Sequence, residues 1–281
     1  MAPIHAISHI LRKGRQPVIL LALLWALFPL RSFAGQKYTI YFYNPETNIN
    51  NFASLKKEFD TYLLSFGEYQ FQPFNERETF EKLITERKDG IFLVSSWHYR
   101  KLKETIPLEP MLVAVYRDKS TCRKILSVKK SIDNLNLLKG ATVASAGSEE
   151  YTRSILRQML KQNNEDVVRS LKILTVPKDI DALMSVGFGM AGAAITTEGS
   201  LAKLAMMNQK QFDMLQQLAA SDDTLLPVIA APKPYNDACK KLTSLIKEMG
   251  VRQEGKQKLT MIGLDGWKEL NDSEKEILEK R

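Results

Sequence analysis

Strand-like and helix-like segments alternate along most of this chain, and that alternation limits the folds open to it more than any other feature. Gly90-Ile91-Phe92-Leu93-Val94 is apolar throughout, as a strand buried on both faces of a parallel sheet must be. The run Lys37-Tyr38-Thr39-Ile40-Tyr41-Phe42-Tyr43 reads as an earlier strand stopped by Asn44-Pro45. Between the two, Phe52, Leu55, Phe59 and Leu63 recur at helical spacing, and a short strand at 69–74 precedes a helix bearing Phe80, Leu83 and Ile84 on one face. Further on, the pattern predicts helix near 132–138, strand 141–145, helix 149–163, strand 171–176, helix 178–185, strand 190–196 and helix 197–206. LLPVIAAP (225–232) reads as a returning strand, and the chain from Tyr235 reads as helical.

The alternation breaks once. MLVAVYR (111–117) and KILSV (124–128) are both strand-like, with no long helix between them. Such a break marks a chain passing from one lobe to another. The expected fold class is therefore α/β: two largely parallel sheets, each covered by helices, joined by double crossings around a hinge and a cleft. Lobe one is expected over 36–112 plus 230–281 and lobe two over 113–229.

The N-terminus reads as a targeting segment. Arg12, Lys13 and Arg15 precede the apolar run VILLALLWALF (18–28), and Ser32-Phe33-Ala34 supplies a small-x-small end before Gly35, so 1–34 is expected to be a cleaved signal peptide. The run is shorter than the roughly 18–20 residues that a membrane span needs. No Cys follows it to carry a lipid. Removing its four cations takes the formal charge from +8 to +4, and the remaining Lys and Arg are scattered, which argues against a nucleic-acid partner. Cys122 and Cys239 leave a disulfide and two free thiols both open. No His/Cys spacing suits a metal, and no nucleophile elbow, P-loop or zinc-protease motif occurs, so neither a catalytic residue nor a cofactor is expected. Gly187, Gly189 and Gly192 fit a dinucleotide fingerprint in spacing, but they precede a strand instead of following one and read as a glycine turn.

In open α/β sheets, ligands bind beyond the carboxyl ends of strands. Four strands here end in polar or aromatic residues: Tyr43-Asn44, Ser95 to Tyr99, Ser145 to Ser148, and Thr196-Thr197-Glu198. Taken singly, each has a plain structural explanation. Ser148 suits an ordinary N-cap, with Glu149 and Glu150 matching the helix dipole; Trp97 and Tyr99 suit packing; Glu198 suits a solvated first turn.

The order of these features resembles a known family. DGIFLVSSWHYRKLK (89–103), LNLLKGATVASAGSEEYTRSIL (135–156) and VGFGMAGAAITTEGSLAKL (186–204) resemble segments of the periplasmic substrate-binding components of phosphate, phosphite and phosphonate ABC importers, which have the type II periplasmic-binding fold. The likeness covers most of 37–270. It implies ligand contacts from Tyr43, from Trp97, His98 and Tyr99, from the turn Ser145, Gly147 and Ser148 with Thr152, and from Thr196, Thr197 and Glu198. It also implies a monomeric, non-enzymatic exported protein that passes a small molecule to an importer permease; a membrane sensor protein is the alternative partner, and a scaffold that binds nothing a third reading. One departure stands out: the family's Ser-Thr-Ser-Gly-like turn is here Ser-Ala-Gly-Ser-Glu-Glu, with Ala146 in place of a hydroxyl and two acids following it. Those acids would repel a bound dianion at short range.

Overall fold

The computed structural model describes residues 37–87, 90–161 and 164–279. Residues 1–34, read as a signal peptide, lie outside these.

The first sheet contains β1 (Tyr38–Tyr43), β2 (Tyr69–Pro73), β3 (Gly90–Val94), β4 (Leu108–Val115), β12 (Val228–Pro232) and β13 (Gly266–Lys268), in the order β13-β4-β12-β3-β1-β2. Its helices are α1 (Phe52–Leu64), α2 (Arg77–Glu86), α3 (Ser96–Lys103), α9 (Asp237–Glu248), α10 (Gln253–Met261) and α11 (Asp272–Glu279). The second sheet contains β6 (Lys124–Lys129), β7 (Thr142–Ser145), β8 (Lys172–Thr175), β9 (Ala193–Thr197) and β10 (Leu215–Ala220), in the order β10-β6-β9-β7-β8. With it go α4 (Glu149–Leu160), α5 (Glu165–Ser170), α6 (Asp179–Gly187), α7 (Glu198–Met207) and α8 (Gln209–Asp213). Between the sheets, β5 (Thr121–Cys122) and β11 (Thr224–Leu225) pair antiparallel as a two-stranded ribbon. This ribbon carries both crossings of the chain.

Period-2 alternation explains why these strands are apolar on both faces. Ile40, Phe42, Ile91 and Leu93 face a core with Phe59 and Phe71, while Tyr41, Tyr43, Phe92 and Val94 face a second core with Phe80. In the second sheet, Val143 and Ile195 pack under α4 and α5, and Ala144 and Ala194 pack under α6. Helix α4 presents Thr152, Ile155, Leu156, Met159 and Leu160 at helical spacing.

Several elements depart from expectation. Each sheet is mixed: β1–β2, β1–β3, β7–β8 and β7–β9 are parallel, whereas β4, β12 and β13, and likewise β6, β9 and β10, pair antiparallel. The parallel pairs come from strand–helix–strand units. Strand β4 leaves the first lobe where β12 re-enters it, and β6 enters the second where β10 leaves it, so the two pairs β4–β12 and β6–β10 run antiparallel beside the ribbon. The first sheet holds β4 through Val115 and β12 from Val228. The predicted helix near 132–138 is a single 3₁₀ turn, Leu135–Leu138. LLPVIAAP divides between the ribbon and β12, and the C-terminal helical region contains the short β13. Strand β10 went unpredicted because its LQQLAA sequence lacks both alternation and β-branched residues. Cys122, in the ribbon, and Cys239, in α9, are both buried free thiols.

Candidate functional site

The strand pairings place the polar strand ends side by side. Tyr43 pairs with Val94, so Asn44 and Ser95 leave neighbouring strands together at the carboxyl edge of the first sheet. In the second sheet Ser145 pairs with Ile195 and Thr197 with Lys124, so the serine turn, Thr196, Thr197 and the first residue of β6 share one edge. The loop after β1 spans from the first edge to the second. Asn48 donates from Nδ2 to Ser200 Oγ (3.0 Å) and accepts at Oδ1 from Ile180 N (2.9 Å), and Lys178 Nζ donates to Asn50 Oδ1 (2.7 Å). Asn48 adopts a left-handed backbone, φ 56°, which Asn tolerates better than most residues. Glu46, held by a hydrogen bond from its N–H to Asn44 Oδ1 (3.0 Å), forms an ion pair with Lys124.

Lys124 is only 4% exposed. Burial disfavours its charge, but the carboxylates of Glu46 and Asp179 outweigh burial and keep the ammonium protonated above the usual lysine range. Asp179, 3% exposed, accepts from Thr197 N at 2.8 Å. Burial pushes its carboxyl up to about 6; Lys124 partly offsets this and Glu46 adds to it.

The serine turn is ordered by its own hydroxyls. Ser148 Oγ caps α4 by accepting from Tyr151 N (3.2 Å), and Ser145 Oγ accepts from Gly147 N (3.1 Å). Each of these hydroxyls accepts, which leaves its proton available to donate. Thr152 is committed elsewhere: its hydroxyl, fully buried, donates to Ser148 O (2.8 Å). The Tyr151 ring folds back over Gly147 and stacks on Trp97 of the opposite lobe, with centroids 4.9 Å apart and planes 19° apart. That spacing leaves no room for a ligand between the rings.

The sequence-predicted residues therefore fall into separate environments. Ser145, Gly147, Ser148, Thr196 and Thr197 lie along one edge of the second sheet, where Tyr151 stacks on Trp97 of the first lobe. Tyr43 and Tyr99 lie in the apolar core of the first lobe, Tyr43 stacked on Phe80 at 5.6 Å and with its hydroxyl pushed up to about 12 by burial. His98 is fully buried beneath Trp97, and its Nε2 contacts Glu81 Oε1 at 2.9 Å. Burial lowers the His98 pKa against the opposing pull of Glu81, so the ring is neutral near pH 7 and donates from Nε2. The hydrogen bond from His98, with one from Lys101, holds Glu81 down at about 2. Glu198 points outward, 3.6 Å from Arg123, with nearly half its side chain exposed.

Sequence reasoning missed Glu46, Asn48, Lys124, Tyr151, Asp179 and Ser200. A lysine opening the apolar run KILSV was the available signal for Lys124; the others resemble ordinary turn and helix-start residues. Three junction side chains carry a buried polar atom with no partner among the described residues: Asn44 Nδ2, Ser95 Oγ and Thr196 Oγ1. Each is a hydrogen-bond donor or can act as one, and an unmet buried donor costs about 1–3 kcal/mol. The junction thus combines a buried cation, unmet donors and a hydroxyl-lined helix start.

Comparison with solved structures finds the same two-lobed periplasmic-binding architecture. A binding-protein component of an ABC phosphonate transporter from Pseudomonas aeruginosa superposes with a TM-score of 0.71 at 15% identity, covering 85% of this chain and 83% of that one. A Xanthomonas citri protein solved with ATP gives 0.66 at 11% identity, covering 86% and 95%. PhnD1 from Prochlorococcus marinus, solved with methylphosphonate, gives 0.64 at 13% identity, covering 84% and 94%. Among curated proteins no sequence relative matches. The family model described as "ABC transporter, phosphonate, periplasmic substrate-binding protein" matches residues 52–274, most of the chain, so this protein belongs to the family of periplasmic substrate-binding proteins of phosphonate ABC transporters.

Proposed function

We propose that this protein, exported by its N-terminal signal peptide and acting as a monomer, captures a small anion-bearing solute of the phosphonate class between its lobes and delivers it to an importer permease, without turnover. The observation that carries this reading is the buried ammonium of Lys124 at the same junction as the unmet donors of Asn44, Ser95 and Thr196. A tetrahedral oxyanion offers enough acceptors for all of them. The contact set proposed is Asn44, Ser95, Lys124, Ser145, Ser148 and Thr196, with Trp97, Gly147 and Thr197 shaping the walls. Contacts from both lobes would make the bound solute favour closure. Glu149 and Glu150 are both exposed, and Glu149 is engaged by Arg153 at 2.8 Å. Solvent and that pairing reduce the repulsion that their sequence position suggested.

The test is thermal unfolding of residues 35–281 with and without methylphosphonate, phosphite and phosphate. At about a hundred times its dissociation constant a ligand adds ~2.7 kcal/mol, or roughly 5–10 °C for a protein of this size. Ser148→Ala should lower the baseline through loss of the cap, about 1 kcal/mol, and should also shrink the ligand-induced shift. A full ligand shift in the variant would remove Ser148 from the site, and no shift with any of the three anions would refute the reading.

A further inference from the structure

Glu46 and Lys124 belong to different lobes, and their ion pair links them in the way a bound anion would. Lys124, 4% exposed, opens the strand β6 of the second lobe; Glu46 sits in the turn after β1 of the first. The carboxylate is aimed by its own loop: Asn44 Oδ1 accepts from Glu46 N at 3.0 Å, and Asn48 Nδ2 donates to Glu46 O at 3.1 Å. The same Asn48 ties the loop to Ser200 and Ile180 of the second lobe, and Asn50 ties it to Lys178. Four links between the lobes thus come from one stretch, 46–50, and one of them is an ion pair.

We propose that Glu46 is a built-in carboxylate that occupies Lys124 and latches the lobes, so that an anionic solute binds by displacing it. This rests on the reading of the junction as the solute site. Lys124 is too deeply buried to remain charged without a partner, and its cation faces Glu46 together with Asp179, which is already committed to Thr197 N. An incoming anion therefore competes with Glu46 for one ammonium. The apparent affinity is the intrinsic one multiplied by the fraction of molecules in which Glu46 has left Lys124.

The experiment compares wild type, Glu46→Gln and the double variant Glu46→Gln/Lys124→Met, each checked for folding by circular dichroism. Small-angle scattering in anion-poor buffer reads lobe closure, and calorimetry with methylphosphonate reads affinity. E46Q should show a larger radius of gyration than wild type, return to the wild-type value when acetate or methylphosphonate is added, and bind methylphosphonate about tenfold more tightly. The double variant should fold even if E46Q does not, and its radius should be indifferent to acetate. An E46Q protein with the wild-type radius, or a double variant that closes on acetate, would overturn the latch. Equal methylphosphonate affinity in wild type and E46Q would overturn displacement while leaving the solute-binding reading intact. If no variant binds methylphosphonate but acetate closes E46Q, the latch stands and the phosphonate reading falls.

Discussion

Gly147→Ala is the most informative single substitution at the junction, because the structure predicts its sign from one contact. A Cβ built on Gly147 would lie 2.5 Å from Cδ1 and 3.3 Å from Cε1 of Tyr151. The near atom is at the ring's base, so the ring must move as a whole. It is already pinned against Trp97 at 4.9 Å. Overpacking of this kind costs about 1–3 kcal/mol, and losing the stack adds roughly 0.5–1.5 kcal/mol. The backbone at Gly147 is outside the left-handed region. Without the ring, therefore, Ala should be neutral or stabilising by up to ~1 kcal/mol, through the lower entropy of the unfolded chain. The assay is a double-mutant cycle of G147A and Y151A by urea unfolding. G147A should lose about 2–3 kcal/mol alone and nothing in the Y151A background, an interaction energy well above the ~0.5 kcal/mol typical of independent sites. A cost that persists at full size in Y151A would refute the claim that the glycine exists to seat the ring. A cost near zero in both backgrounds would mean that Tyr151 does not sit over the turn.

Two further outcomes follow from the buried titratable groups. Asp179 ionises at about 6 in the folded protein against an ordinary value of 3.8, so between those pH values the folded state holds a proton that the unfolded chain has released. Stability should therefore fall as pH rises from about 4 to about 6 and level off above, with a contribution on the order of 3 kcal/mol. Asp179→Asn should remove that component when urea unfolding is compared at the two ends of the window; an identical pH profile in wild type and variant would contradict the assignment. Cys122, whose thiol burial pushes up to about 11, and Cys239 should both be unreactive to thiol reagents in the folded protein and both titrate after denaturation. A mobility difference between reducing and non-reducing gels would contradict two free thiols.

Much of the fold is legible in the residues because local rules decide it. GIFLV is buried on both faces and could be little else but a central strand; the helical spacing of Phe52, Leu55, Phe59 and Leu63 marks α1; and the absence of a helix between MLVAVYR and KILSV locates the crossing. The strand-end rule led to Ser145, Gly147, Ser148, Thr196 and Thr197, which share one edge of the second sheet, and to Trp97, which reaches that edge by stacking on Tyr151. The same rule also pointed to Tyr43 and Tyr99, because a strand end indicates the edge reached but not whether the side chain turns toward the edge or back into the core. Period and phase along a single strand determine which sheet face a residue takes; whether that face lies under a helix or against the other lobe depends on packing between distant segments.

What tertiary structure alone decided is the electrostatics of the junction. Glu46, Lys124 and Asp179 are separated by tens of residues, and each reads in sequence as a common surface charge at a turn, a strand start or a helix start. Burial in one place turns them into a coupled group, since charges removed from water interact strongly only when close neighbours replace the solvent. Most of the order of strands and helices, the crossing and the polar strand ends were thus set by periodicity along the chain; β10 and β13 were not. The identity of the cation that a solute would meet, and of the carboxylate that already holds it, was set by which segments the two sheets bring face to face.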